Sequence, residues 1–307
     1  MIYKDMPNEE YHKVDNKNFS VSSSQLKKML EDPEVFYKTY ITKETEKETS
    51  SAMDVGTFFH TSVLEPSKMV QECAVYYGVR KGEKWETFKT ENAGKTIITG
   101  TEYEGAKRMI DAIQASKKSL ELLSNGVAEI SCFETVYVGE FDIMVKTDKG
   151  NLILGKGGWE VTERNIPDTY VPITCKVRAD YLREKEGDIS DLKSCSGNTK
   201  DKVDIQRRVS NYEYAMSAAF YLDIFSLGFN RPFMKFNWIF ASKDMGNCQP
   251  YLASPKNIQV GRAKWSKAIK DLAKYVKNGW KFEEEVIVLG PQFFETEWIN
   301  NKGEDVL

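Results

Sequence analysis

The chain predicts a mixed α/β protein, helical in its first part and strand-rich after it. Three observations carry that expectation. Residues 20–125 repeat their apolar positions at helical spacing, and residues 129–192 fall into short hydrophobic–polar alternations divided by glycines. Residues 204–227 are apolar nearly all round, the pattern of a helix buried on every side. A length of 307 residues allows one large domain or two. We expect one, with a helical part over 20–125, a central core over 126–245, and a C-terminal helix and tail over 246–307.

In chain order, Ser22–Ser24 sit where hydroxyls cap a helix whose apolar face is Leu26, Met29 and Leu30. Asp32-Pro33 ends it, and Glu34–Ile41 continues as a second short helix. Thr42–Ser51 is charged and free of apolar residues, so a mobile exposed loop is expected. Ala52–Leu64 reads as a buried helix with Gly56 and His60 four apart on one face, Gly56 permitting close approach by another element. Lys81–Trp85 looks like a polar loop, and Thr101–Ser124 like an amphipathic helix pair. Strands are expected over Glu129–Val138, Asp142–Thr147 and Leu152–Leu154, with glycines 150, 155, 157 and 158 at turns. Residues 137–172 exceed what a minimal core needs and are expected to be an insertion. Gly155–Gly158 lacks the spacing of a phosphate loop. Asp204–Leu227 is expected as one long helix, Phe233–Ala241 as a strand, and Val260–Asn278 as an amphipathic helix with Lys264, Lys267, Lys270, Lys274 and Lys277 exposed. Trp280, Phe293, Phe294 and Trp298 lie in the tail.

Composition excludes several classes. A hydrophobic content of 41% and a charged content of 29% describe an ordinary globular protein. No apolar run reaches membrane-span length and the N-terminus lacks a signal-peptide pattern, so a cytoplasmic location is expected. The five cysteines, Cys73, Cys132, Cys175, Cys195 and Cys248, contain no C-x-x-C pair. Free thiols are expected rather than a zinc ribbon, an iron–sulfur cluster or a disulfide framework. A net charge of −3 argues against coating nucleic acid by bulk charge, but not against gripping a few phosphates locally. The only histidines are His12 and His60.

The chemistry concentrates in Lys176–Asp180 and Asp191–Lys193. Ile173–Tyr181 and Ile189–Leu192 alternate as strands, and the Gly-containing turn Glu184–Asp188 joins them into a hairpin. Alternate strand residues share a face, so Asp191 and Lys193 project together and the neighbouring strand can bring Asp180 beside them. Carboxylates aimed at one point repel unless a divalent cation lies between them. A lysine two residues on supplies a fixed positive charge for a water or a phosphate. That pattern predicts the core of a metal-dependent phosphodiesterase.

Several segments in this order resemble one family: Ser22-Ser-Ser-Gln-Leu-Lys with Pro33, Gly56-Thr-Phe-Phe-His60 with Leu64-Glu-Pro66, Ala128-Glu-Ile-Ser131, Lys176-Val-Arg-Ala-Asp180, Asp191-Leu-Lys-Ser194, and Tyr214 with Ala219-Phe-Tyr221. The order is similar to the RecE-type exonuclease (exonuclease VIII) branch of the PD-(D/E)XK nucleases of phages and prophages, over residues 20–245. The resemblance implies a restriction-endonuclease-like core, with a mixed sheet and a central antiparallel hairpin flanked by helices. It implies Mg²⁺- or Mn²⁺-dependent 5′-to-3′ digestion of linear double-stranded DNA ends, a single-strand annealing protein as partner, and a homo-oligomer. Position by position, it makes His60, Glu129, Asp180 and Asp191 metal ligands and Lys193 the catalytic lysine, with Asp180, Asp191 and Glu129 part of the same catalytic set. Arg178, Tyr214 and Tyr221 become candidates for substrate contact, though an ion pair for Arg178 and a core position for the tyrosines serve as well. The chain departs from the family in having Ser217 where a glutamine is usual. Two other functions remain open: a DNA endonuclease of the same fold, and a non-catalytic nuclease-like accessory protein.

Overall fold

The computed structural model describes residues 1–4, 6–7, 10–11, 20–45 and 50–282. His12, part of the Thr42–Ser51 loop, and the tail residues Phe293, Phe294 and Trp298 lie outside them. The described strands, in chain order, are β1 (Ile2–Tyr3), β2 (Ser20–Val21), β3 (Cys73–Tyr76), β4 (Thr96–Thr99), β5 (Val127–Val138), β6 (Ile143–Thr147), β7 (Gly150–Gly155), β8 (Gly158–Thr162), β9 (Val171–Arg183), β10 (Asp188–Cys195), β11 (Lys235–Ser242) and β12 (Cys248–Leu252). The helices are α1 (Ser23–Glu31), α2 (Pro33–Phe36), α3 (Ser51–Leu64), α4 (Met69–Glu72), α5 (Glu83–Glu91), α6 (Gly100–Ala115), α7 (Lys117–Leu122), α8 (Lys202–Asn211), α9 (Tyr214–Gly228) and α10 (Pro255–Asn278).

One large mixed sheet runs β12-β11-β10-β9-β5-β6-β7-β8, with β1 added to β5 and β2 to β9. The hairpin β9–β10 is antiparallel and β10–β11 parallel. Residues 137–172 supply β6, β7 and β8, which continue this sheet outward from β5. β3 and β4 pair in a separate parallel ribbon.

Strand alternation decides which helix covers which face. Ile189, Phe236, Trp238 and Phe240 join the larger core with α1, α9 and α10, through Leu26, Phe220 and Trp265. Leu192, Ile239 and Ala241 turn the other way, into the smaller core with Phe59 of α3 and Met109 of α6. Both faces of β10 and β11 are therefore covered, as a parallel pair requires.

Several local expectations need correction. The serine-capped helix starts as expected, Ser22 and Gln25 forming a reciprocal capping box. The following helix begins at Pro33, capped by Asp32, and widens into a π-turn over Tyr37–Ile41. Lys81–Trp85 is not all loop, because α5 begins at Glu83 after Gly82, whose φ is +79°. The last helix begins at Pro255, where Ser254 caps the Asn257 amide. Gly56 admits no close neighbour: a Cβ placed there would meet nothing within 4 Å.

The single helix expected over Asp204–Leu227 is two, α8 and α9. The break lies at Glu213, whose φ of +51° is left-handed. Lys264 of α10 holds both Glu213 carboxylate oxygens, at 2.6 and 2.7 Å. One turn earlier, Gly261 lets α10 reach the α9 backbone, where a Cβ would lie 1.9 Å from the Ala215 carbonyl oxygen. The lysine face of α10 is also partly committed. Besides Lys264, Lys267 pairs with Asp271 at 2.5 Å and Lys270 donates to the Phe141 carbonyl at 2.7 Å.

Candidate active site

β9 and β10 pair from Asp188↔Arg183 through Ser190↔Tyr181, and there the ladder stops. One step further on, Asp191 would face Asp180. On the other side of β9, the pairs Ala128↔Tyr181 and Ile130↔Ala179 bracket a missing pair between Glu129 and Asp180. Three acids, Glu129, Asp180 and Asp191, thus stand at one level across three neighbouring strands, where the hairpin forks. Glu129 sits mid-strand with φ +50°, a conformation a glutamate adopts only when its surroundings impose it.

The fork leaves the Leu192 backbone without partners on β9, and side chains replace them. The Leu192 N–H donates to Asp180 Oδ2 at 2.7 Å. Its carbonyl lies 3.1 Å from His60 Nε2, so that nitrogen carries the hydrogen and donates. Nδ1 is then left facing Asp180 Oδ2, at 3.4 Å. A lone pair set against a carboxylate is a place that a cation would fill.

Ligand atoms of His60, Glu129 and Asp180 all lie within 4.8 Å of one another. Burial and the Asp180 charge push the Glu129 carboxyl up from 4.5 to about 8, with Arg178 opposing. Two oxygen ligands and one imidazole, set this close together, fit a hard divalent cation better than zinc. Asp191 stands beside this trio, with its carboxylate turned to the Lys193 ammonium at 2.6 Å. Burial raises the Asp191 pKa against the pull of Lys193. For Lys193, burial favours the neutral form but Asp191 and Asp180 outweigh it, and the ammonium is held above its ordinary value.

The remaining candidates divide. Tyr214 opens α9 with its ring 5.0 Å from Lys193 Nζ, at the edge of the site. Tyr221, two turns on, packs edge-on against Phe225 and Phe236 and is hydrogen-bonded to the Ser23 side chain. Arg178 is tied to Ser131 Oγ and the Met6 carbonyl, both at 2.8 Å, and lies 4.3 Å from the Tyr11 ring centre. Ser217 belongs to the first turn of α9, its amide donating to the Glu213 carbonyl.

Lys27 had no role assigned from sequence, yet it belongs to this neighbourhood. Its Nζ donates to the Tyr212 carbonyl at 2.9 Å and lies 5.5 Å from the Tyr214 ring centre. Burial and the Lys193 charge lower it to about 8. The only sequence signal was its place in Ser22-Ser-Ser-Gln-Leu-Lys27, since nothing in α1 alone reveals that it packs beside β10.

The family model described as "PDDEXK-like domain of unknown function" matches residues 22–155 and 160–285. No curated protein matches the sequence. Among solved structures, the fold is similar to a protein of Eubacterium rectale described as a "putative exonuclease". The TM-score is 0.59 at 14% identity, over 95% of this chain and 97% of that one. The overlap with the structure of SSO0001 is looser, with a TM-score of 0.33 at 10% identity over 88% of this chain and 85% of the other. Among the described residues, no helix is long and apolar enough to cross a membrane.

Proposed function

The chain belongs to this PDDEXK-like family, and on that premise we propose that it is a divalent-metal-dependent nuclease. Within that class we propose an exonuclease that digests linear double-stranded DNA from its ends, 5′ to 3′, and leaves single strands for recombination. The observation that carries the reading is the fork between β9 and β10. It aligns Glu129, Asp180 and Asp191 at one level, brings His60 over them, and sets Lys193 one alternation along the same face. A charged lysine locked against Asp191, with the Asp180 charge also acting on it, has no packing purpose that an apolar residue would not serve better.

His60, Glu129 and Asp180 would hold Mg²⁺ or Mn²⁺, with Asp191 next to them. When bound, the cation supplies Lewis acidity toward a water and a phosphodiester oxygen. The protein's own groups prepare the rest. The Leu192 carbonyl fixes the His60 tautomer and the Leu192 amide fixes Asp180, so neither ligand pays to reorient. Asp191 keeps Lys193 protonated, leaving ammonium hydrogens for the charge that develops on the phosphoryl oxygens. Tyr214 bounds the lysine on one side and restricts its swing. The proposal extends to a single-strand annealing protein as partner and to a homo-oligomer.

Linear and closed circular duplexes, incubated with and without Mg²⁺, test the reading. Loss of the linear form alone, only with metal, is the expected result. Cutting of the circle would instead mark an endonuclease. Lys193→Ala should keep the fold and lose at least ~100-fold in rate, the scale of removing one preorganised charge-stabilising donor. A folded Lys193→Ala protein that cuts at full rate would overturn the assignment.

A further inference from the structure

A cavity opens at the residues that follow Lys193 on β10 and uses none of the metal-ligand trio. It is open to solvent and has a volume of about 510 Å³, lined by Ala52 at the start of α3, Ser194 and Ser196 after Lys193, Arg108 of α6, Arg208 of α8, and Tyr212. A volume in the ~300–1,000 Å³ range suits a small ligand or a few unpaired bases, not a duplex.

Tyr212 joins the cavity to the active site. The break at Glu213 sets the Tyr212 ring on the Tyr214 ring, stacked at 5.5 Å and 23°. Tyr214 in turn faces Lys193. The path Lys193, Tyr214, Tyr212 and cavity is therefore continuous. Tyr212 leaves 57% of its surface exposed, an aromatic face offered to solvent at the end of a stack. An uninterrupted helix over 204–227 would not stack these rings, since residues two apart point away from each other.

Two arginines line the cavity. Arg208 is braced by Asp204 at 2.8 Å and by the Ser196 carbonyl at 3.1 Å. Arg108 is exposed, and its hydrogen bond to the protein, from Nε to the Lys243 carbonyl at 2.7 Å, leaves its outer nitrogens directed elsewhere. Two acids reach the rim, Glu102, already paired with Arg80 at 2.9 Å, and Asp244. Charge is therefore mixed, and stacking must lead the recognition. We infer that this cavity and the Tyr212–Tyr214 stack bind the unpaired strand of a DNA end, with a base on Tyr212 and a phosphate on Arg108. The inference rests on the nuclease reading for its ligand class, and on the cavity for its place.

The test is fluorescence anisotropy of an end-labelled oligothymidine of about ten nucleotides, with the full-length protein in chelator at low salt. The wild type should bind it. Tyr212→Ala should weaken binding roughly tenfold, the scale of one lost base–aromatic stack. Tyr212→Phe should bind like wild type, because stacking does not need the hydroxyl. Arg108→Ala should weaken binding and lower the salt slope by about one. The assignment is overturned if the wild type ignores the oligomer, if Tyr212→Ala binds unchanged, or if Tyr212→Phe fails as badly as Tyr212→Ala. Hydrolysis plays no part in this readout, so the two proposals fail separately. Binding that depends on Tyr212 in a protein that never cuts would keep the cavity and remove the nuclease. Cutting by a protein indifferent to Tyr212 would do the reverse.

Discussion

Replacing Glu129 by glutamine should stabilise the metal-free protein, and the amount should depend on pH. Burial and the Asp180 carboxylate raise Glu129 from 4.5 to about 8 in the folded state. The unfolded chain returns the group to its ordinary value. Between those two values the folded protein holds a proton that the unfolded chain has released, so stability falls as pH rises, by about 1.4 kcal/mol per unit. Below the ordinary value both states are protonated and the effect vanishes. At pH 7 the accumulated cost is ~3 kcal/mol, an upper figure because a strained site relaxes. Glutamine keeps the shape of the neutral carboxyl and removes the titration. Urea unfolding in chelator, followed by tryptophan fluorescence, should therefore find Glu129→Gln within ~1 kcal/mol of wild type at pH 5 and ~3 kcal/mol more stable at pH 7. Adding Mn²⁺ should reverse the ranking, since an amide is the poorer ligand and stabilisation follows metal affinity. Equal stabilities at both pH values, or a variant weaker at pH 7 without metal, would refute the claim that Asp180 and Glu129 are pressed together.

Three further outcomes follow from other contacts. His60→Ala should lower Mn²⁺ affinity at least ~10-fold by calorimetry, through loss of Nδ1 and of the Leu192 carbonyl contact; unchanged affinity would remove His60 from the ligand set. Arg262→Met should cost ~3–5 kcal/mol in urea unfolding, because it strips a bidentate partner, at 2.9 and 2.7 Å, from buried Asp223, leaving it only the Trp265 indole N–H; a loss below ~1 kcal/mol would show that Asp223 is neutral without it. Gly261→Ala should destabilise by ~1–3 kcal/mol despite alanine's better helix propensity, because its Cβ would collide with the Ala215 carbonyl oxygen; a gain in thermal stability would show that α9 and α10 separate freely.

Much of the site was legible because its signals are local. Alternation over Ile173–Tyr181 and Ile189–Leu192, with one turn between them, is enough to set Asp180 near Asp191 and to put Lys193 on the same face. The serine cap of α1 and the helix around His60 were equally plain. Glu129 was less so. Its alternation announces a strand, but only pairing with β9 shows that it stands level with Asp180. Lys27 had no signal of its own, since its neighbours Tyr212, Tyr214 and Lys193 come from elements more than 160 residues away in the chain. The largest misreading has a tertiary cause. The apolar run over 204–227 carries no glycine or proline at the break, and the left-handed turn at Glu213 is held by Lys264 from α10.

The sequence by itself determined the helical start and the strand-rich centre, the faces of the hairpin, and which side chains carry acid, base or imidazole, because those properties depend on residues a few positions apart. Tertiary structure alone decided that the hairpin forks at Asp180 and Asp191, that His60 closes over the fork through the Leu192 carbonyl, and that the kink at Glu213 stacks Tyr212 on Tyr214. Each of those depends on backbone groups left unpaired by one element and satisfied by another, and that is settled only when distant segments pack.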